Sequence, residues 1–370
     1  MRLDASGART LVLMGAVIVA LFVSGFALLA AAVPGRYAIE GSGGHGVFGW
    51  ATGLLALTLG IRHAFDADHI AAIDNTTRKL AADAATGNGR PGARPLAVGF
   101  FFSLGHSTIV FVMAVVLGLG IGAFNAQVQD DGSALHRVTG VVGPTVSGLF
   151  LVLIGVINIL VTVGIVRVFR RMRAGEFDEA GFERELAKRG LLNRLFGRVA
   201  DRIDSSWKIY PLGALFGLGF DTATEVTLLV LSGAAVLGGL PWWAVLSLPL
   251  LFAAGMCLFD TVDGVLMNYA YGWAFMTPAR KVYYNVVITV MSVLVALVIG
   301  LFELASVLAG ELGWHLAAID WFDGLDSLGC IVVGTLVGTW LVAVLVWRLG
   351  RFEERLGGPG GAAPGAAGAT

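Results

Sequence analysis

Charge is what this sequence has least of. Only 14% of its 370 residues are Asp, Glu, Lys or Arg, while 56% are hydrophobic. A soluble domain carries roughly 25% charged residues, and a globular core cannot absorb so much apolar surface, which excludes an ordinary water-soluble fold. Cysteine is nearly absent too: Cys257 and Cys330 both fall in apolar runs, so no disulfide framework is implied. A net charge of −1 gives no reason to expect a nucleic-acid partner. The chain lacks a Gly-x4-Gly-Lys-[Ser/Thr] phosphate loop, so it does not hydrolyse ATP itself. It also lacks His-Glu-x-x-His, which weighs against an intramembrane metalloprotease.

What is present is long apolar runs. Eight reach the roughly 20 residues that a bilayer demands, at 11–33, 48–74, 96–122, 141–166, 210–231, 242–272, 282–309 and 327–347. The expectation is an all-α polytopic membrane bundle forming one integral membrane domain over 1–370. The first run follows Arg2 and Arg9, as a signal peptide would, but its apolar length exceeds a signal's core, so it reads as a retained helix.

Loop charges set the orientation. Arg78, Lys79, Arg90 and Arg94 follow the second run, and eleven Lys and Arg residues lie between Arg167 and Lys208. Arg280, Lys281, Arg348, Arg351 and Arg355 follow the sixth and eighth. The alternate loops hold only Arg36 and Arg137, so the positive-inside rule puts both termini in the cytoplasm and the chain in the cell membrane. Residues 170–208 form a cytoplasmic loop whose Leu191, Leu192, Leu195, Phe196, Val199 and Ile203 share one helical face. That pattern reads as a helix lying on the bilayer or docking a partner. Residues 86–95 are a Gly/Pro/Arg-rich linker, and the Gly/Ala/Pro tail 357–370 has the composition of disorder.

Against this background one stretch stands out: Arg62, His63, Asp66, Asp68 and His69 within eight residues at the end of the second run, with Asp74 close behind. Charges inside a membrane span are costly and usually face a bundle interior or an ion path. On a continuous helix His63, Asp66, His69, Asp74 and Arg62 share one side, and Asp68 points away. Two imidazoles and a carboxylate on one face suit a divalent transition metal. The plainer alternative is a buried Arg62–Asp66 ion pair with incidental histidines. Asp68 either orients a histidine or becomes a ligand if a helix break changes the phase.

Other spans are polar as well: Ser103, His106, Ser107 and Thr108; Asp221, Thr224 and Glu225; Asp260, Asp263 and Asn268; Asn158 and Glu303. A lone histidine such as His106 is more often a satisfied core residue, and membrane Ser and Thr usually bond a neighbouring backbone. Together these residues suggest one shared polar cavity. Internal matches point the same way. Phe65-Asp66-Ala67 echoes Phe220-Asp221-Thr222, Leu104-Gly105-His106-Ser107 echoes Leu258-Phe259-Asp260-Thr261, and Ile154–Asn158 echoes Ile299–Glu303. Spans two to four thus echo spans five to seven, and an offset of three spans inverts the second copy around a midplane site.

These motifs resemble the nickel/cobalt transporter family of membrane permeases. That family's His-x4-Asp-His pattern is matched by His63, Asp68 and His69. Gly105-His106-Ser107-Thr108, Asp221-Thr222-Ala223-Thr224-Glu225, and Gly255-Met256 leading to Asp260-Thr261-Val262-Asp263 match three further motifs. Ile109 stands where the family often has Val, and Phe220 where some members have Thr. The resemblance covers roughly residues 48–309. It implies a permease rather than an enzyme, importing Ni²⁺ or Co²⁺ as cargo with no resident cofactor. The resemblance carries His63, Asp68 and His69 over as metal-site residues, and with the shared polar cavity the metal-site candidates are His63, Asp66, Asp68, His69, His106, Asp221, Glu225, Asp260 and Asp263. An exporter of the same metals is the alternative, weakened because residues 170–208 contain no histidine.

The topology is directly testable. Cysteines introduced at Gly92 and Ala187 are expected to react with an impermeant thiol reagent only from the cytoplasmic side, and one at Ser133 only from outside. Reaction at position 187 from outside would overturn the eight-span arrangement.

Overall fold

The computed structural model describes residues 5–41, 44–85, 95–118, 134–173, 203–218, 223–237, 239–274 and 278–314, with scattered positions between 331 and 345. The tail 357–370, the loop between 174 and 202, and most of the eighth expected span lie outside the described residues. The fold is helical. In chain order it runs α1 (Ala5–Ala32), a short hairpin of β1 (Ala38–Gly41) and β2 (Gly44–Val47), α2 (Trp50–Ala64), α3 (Ala67–Ala85) and α4 (Val98–Gly118). Then come α5 (Ala134–Arg173), α6 (Tyr210–Phe216), α7 (Ala223–Leu237), α8 (Trp242–Val245), α9 (Ser247–Ala274) and α10 (Pro278–Leu312). The antiparallel hairpin, with Glu40 opposite His45, lies in a segment that carries no strand signal in the sequence reading.

Four described stretches are long and apolar enough to cross a membrane: Ala5–Gly35, Pro95–Val116, Trp242–Tyr271 and Val290–Leu312. Their outer faces fit hydrocarbon, since Val12, Leu13, Val112, Leu266, Leu294 and Leu301 are all exposed. In water such a surface would aggregate. Trp50, Trp242 and Trp314 are exposed at or just beyond helix ends, where aromatic side chains sit in the interfacial belt.

The second expected span is not one helix. α2 closes with tightened bonds from Phe65 N–H to the Arg62 carbonyl (3.0 Å) and from Asp66 N–H to the His63 carbonyl (2.9 Å). Phe65 sits at φ −90°, ψ 8°, and α3 restarts at Ala67 with Ile70 N–H bonded to the Asp66 carbonyl. Asp66 thus takes the position before a helix start, where aspartate is favoured. In the fifth expected span α6 ends at Phe216 and α7 begins at Ala223, and the matched segment Phe220-Asp221-Thr222 lies outside the described residues. The break between α2 and α3 falls on its counterpart Phe65-Asp66-Ala67.

Lipid tails are as apolar as leucine, so helices in a bilayer associate through close packing at small residues. Here Gly60 lies against the Phe252 carbonyl and Gly255 against the Leu57 carbonyl, joining α2 to α9. Gly213 lies against the Phe102 carbonyl and Gly105 against the Tyr210 carbonyl, joining α6 to α4. These crossings are counterparts under the repeat, which exchanges spans two and five and spans six and three. Between α5 and α10 the contact is reciprocal: a Cβ at Gly148 would meet the Gly300 carbonyl oxygen at 2.8 Å, and one at Gly300 would meet that of Gly148 at 2.8 Å.

Adding a methyl at such a crossing pushes backbones apart. Gly60→Ala is expected to destabilise the detergent-solubilised protein by about 1–3 kcal/mol, the usual cost of overpacking, read as a lower melting temperature. Gly15→Ala, with nothing within 4 Å of its added Cβ, should leave melting unchanged.

Candidate metal site

The break between α2 and α3 aims two histidines at one point. His63 closes α2, His69 lies in the first turn of α3, and His106 reaches them from α4. Their relative exposures are 1%, 1% and 2%. One ring nitrogen from each lies within 4.8 Å of the others, and the ring centroids are 4.6, 4.7 and 4.8 Å apart. Phe252 tilts over His63, while Phe102 and Phe216 pack edge-on against His69, enclosing the imidazoles in an apolar wall.

The orientation of the rings carries the chemistry. His63 Nδ1 is 2.6 Å from Asp66 Oδ2, a contact that turns the Nε2 edge of the ring inward. That Nε2 faces His106 Nε2 at 3.0 Å. Two imidazoles bound to one metal at about 2.1 Å on perpendicular bonds would have their nitrogens about 3.0 Å apart. His69 has a carboxylate on the same side at longer range, with Nδ1 3.7 Å from Asp260 Oδ2. Three imidazole nitrogens, two of them with a carboxylate close to the ring's other edge, form a donor set for late divalent transition metals rather than for Mg²⁺ or Ca²⁺.

The other candidates are placed differently. Asp66 is 27% exposed and opens the cluster to its surroundings. Asp68 is half-buried and accepts a long 3.5 Å hydrogen bond from Ser147 Oγ on α5. Asp260 is buried at the cluster, so the positions matched by the repeat, His106 and Asp260, flank the same histidine pair. Asp263 lies one turn farther along α9. Asp221 is outside the described residues, and Glu225 lies in α7 with its side chain outside the described part. Ser103 Oγ and Thr108 Oγ1 donate to the Gly99 and Leu104 carbonyls at 2.9 and 2.7 Å, as membrane hydroxyls usually do.

The continuous-helix expectation fails at Asp74 and Arg62. With the break in place Arg62 faces outward, and Asp66 is engaged by His63. Asp74 joins a separate buried group: it accepts hydrogen bonds from Tyr271 OH on α9 and, at 2.6 Å, from Ser292 Oγ on α10. Beside it Asn158 Nδ2 donates to Asn75 Oδ1 at 2.9 Å. Sequence reasoning missed Tyr271 and Ser292. The available signal for Tyr271 was its place eleven residues after Asp260, three turns along the same face of a helix.

The family description "High-affinity nickel-transport protein" matches residues 49–346. The chain belongs to the nickel/cobalt transporter family. It is 55% identical over 346 residues to the nickel transporter NicT of Mycobacterium tuberculosis, covering 93% of this chain and 90% of that protein. It is 45% identical to the nickel transporter NixA of Staphylococcus aureus over 92% of this chain and 95% of that one. To the cobalt transport protein NhlF of Rhodococcus rhodochrous it is 41% identical, over 80% and 82% respectively. No solved structure matches this member of the family.

Proposed function

We propose that this chain is a permease that carries Ni²⁺ or Co²⁺ into the cytoplasm, with His63, His69 and His106 as the donors that strip and hold the ion. The observation that carries this reading is the convergence of three buried imidazoles at the break between α2 and α3. Asp66 and Asp260 orient His63 and His69 from behind and offset the ion's charge, and Asp66, the more exposed of the two, receives it first. Asp68 supports the site from the α5 side through Ser147. Asp221 and Glu225, in the fifth expected span, are proposed to complete the coordination. Nitrogen ligation explains why relatives named for nickel and for cobalt share one scaffold, since the two ions prefer similar donors.

The protein is proposed to span the cell membrane eight times with both termini cytoplasmic, as the loop charges indicate. Transport then needs no ATP-hydrolysing motif. A negative-inside potential contributes about 2.3 kcal/mol per charge per 100 mV, hence about 4.6 kcal/mol for a divalent ion. Radiolabelled Ni²⁺ and Co²⁺ uptake into proteoliposomes, with and without an imposed potential, tests cargo, direction and energy source together. Export against that potential would overturn the reading.

Binding has its own readout. Ni²⁺ is expected to stabilise the solubilised protein by about 2.7 kcal/mol at a hundredfold excess over Kd. The gain should shrink as pH falls, because protons compete with the metal for the imidazole nitrogens. His63→Ala and His69→Ala should each abolish the gain and transport. A His63→Ala protein that melts lower yet keeps the full nickel shift would remove that residue from the site. Asp66→Asn keeps the shape of the Asp66 side chain but weakens its hold on Nδ1–H, and should lower Ni²⁺ affinity by about 10–100-fold, the usual effect of losing a ligand-orienting partner.

A further inference from the structure

An ion held at the three histidines still has to leave, and polar groups continue from that point along one seam. α3 and α9 run parallel: His69 meets Asp260, Ile73 meets Gly264 and Asp74 meets Tyr271. Asp260, Asp263, Asn268 and Tyr271 occupy one side of α9, and the rise from the first to the last is about 16 Å. The near end of the seam is poor in hydrogen bonds among the described residues. Asp260 is 1% exposed and has His69 Nδ1 3.7 Å from Oδ2, beyond hydrogen-bond reach, while Oδ2 of Asp263 is buried with no hydrogen bond among those residues. Asp263 stands in the electrostatic field of both Asp260 and Asp74. Buried carboxylates so placed are costly unless a cation joins them.

The far end is the reverse. Both oxygens of Asp74 are occupied, one by Tyr271 OH and the other by Ser292 Oγ at 2.6 Å. The Arg78 guanidinium, one turn farther along α3, acts on the same carboxylate. All four side chains are buried. A fixed guanidinium on this path repels a passing divalent ion, and a carboxylate already hydrogen-bonded twice offers it little.

We propose that Asp260 and Asp263 form a second, oxygen-donor station for the divalent cation between the histidines and the C-terminal ends of α3 and α9, and that Asp74, Tyr271, Ser292 and Arg78 form the barrier closing that route. This rests on the transport reading above, in which those helix ends face the cytoplasm. The ion passes from three nitrogens to carboxylates, which hold a late transition metal less tightly and so favour its release. It crosses when the Asp74 cluster parts.

The test uses the full chain and Ni²⁺ alone. Asp263→Asn should lower Ni²⁺ uptake into proteoliposomes by about tenfold or more, while calorimetric Ni²⁺ binding at the histidines persists. Asp263→Ser gives the same reading if the amide does not fold. For the barrier, the thiol introduced by Asn268→Cys, in a Cys257→Ala/Cys330→Ala background, should react slowly with an impermeant maleimide. Adding Tyr271→Phe and Ser292→Ala, which removes two hydrogen bonds, should accelerate that reaction by about tenfold from the cytoplasmic face. Wild-type uptake by both Asp263 variants overturns the station, and unchanged labelling in the folded triple variant overturns the barrier. Either result leaves the histidine site standing if His63→Ala still abolishes Ni²⁺ binding. Ni²⁺ binding that survives His63→Ala overturns the histidine reading instead.

Discussion

A helix broken at membrane depth leaves backbone groups without partners, and such backbone is tolerated only where protein covers it or a cavity receives it. The rest of this structure depends on how the break at Phe65 and Asp66 is covered. Two tightened turns satisfy the end of α2, and the Asp66 carbonyl starts the ladder of α3. The Asp66 side chain then binds His63 Nδ1 instead of capping the new helix. One residue therefore ends a helix, starts another and orients an imidazole. The fixed break gives His63 and His69 different axes, so their rings converge from two directions, which a single straight helix would not allow.

Convergence also requires that α4 and α9 approach closely enough for His106 and Asp260 to reach the same point. No hydrophobic force drives that approach within lipid. Glycines at the crossings provide it, with Gly60 and Gly255 setting α9 against α2 and Gly99 lying against the Asp260 carbonyl itself. The backbone that carries Asp260 is thus fixed where α4 crosses it, a few residues from His106. Site geometry and helix packing are the same set of contacts, which is why a methyl at a crossing should disturb both.

Much of this could be read from the chain. Charged and imidazole groups inside an apolar run announced the stretch from His63 to His69, and the matched segments placed His106 and Asp260 as counterparts, both of which stand at that histidine pair. Ring orientation and phase could not be read. A helical wheel assumes unbroken rotation, so it grouped Asp74 and Arg62 with the histidines, whereas the restart at Ala67 sends Asp74 toward Tyr271 and Ser292. Those partners lie 197 and 218 residues away, a separation no local pattern reports. His106 was undecided for the same reason: a single histidine in a span acquires meaning only when another helix brings His63 Nε2 to 3.0 Å.

The division of labour between nitrogen and oxygen has an energetic consequence. A divalent ion in a low-dielectric interior needs compensating charge, and neutral imidazoles supply lone pairs without it. In the proposed site Asp66 and Asp260, each near a histidine, supply that charge while the ion is held by nitrogen, and carboxylate ligation is left to the later station. A site of this kind binds selectively and still lets go. About 4.6 kcal/mol from a 100 mV potential corresponds to roughly a thousandfold concentration ratio at about 1.4 kcal/mol per decade. Inward accumulation to that extent therefore requires no coupling ion.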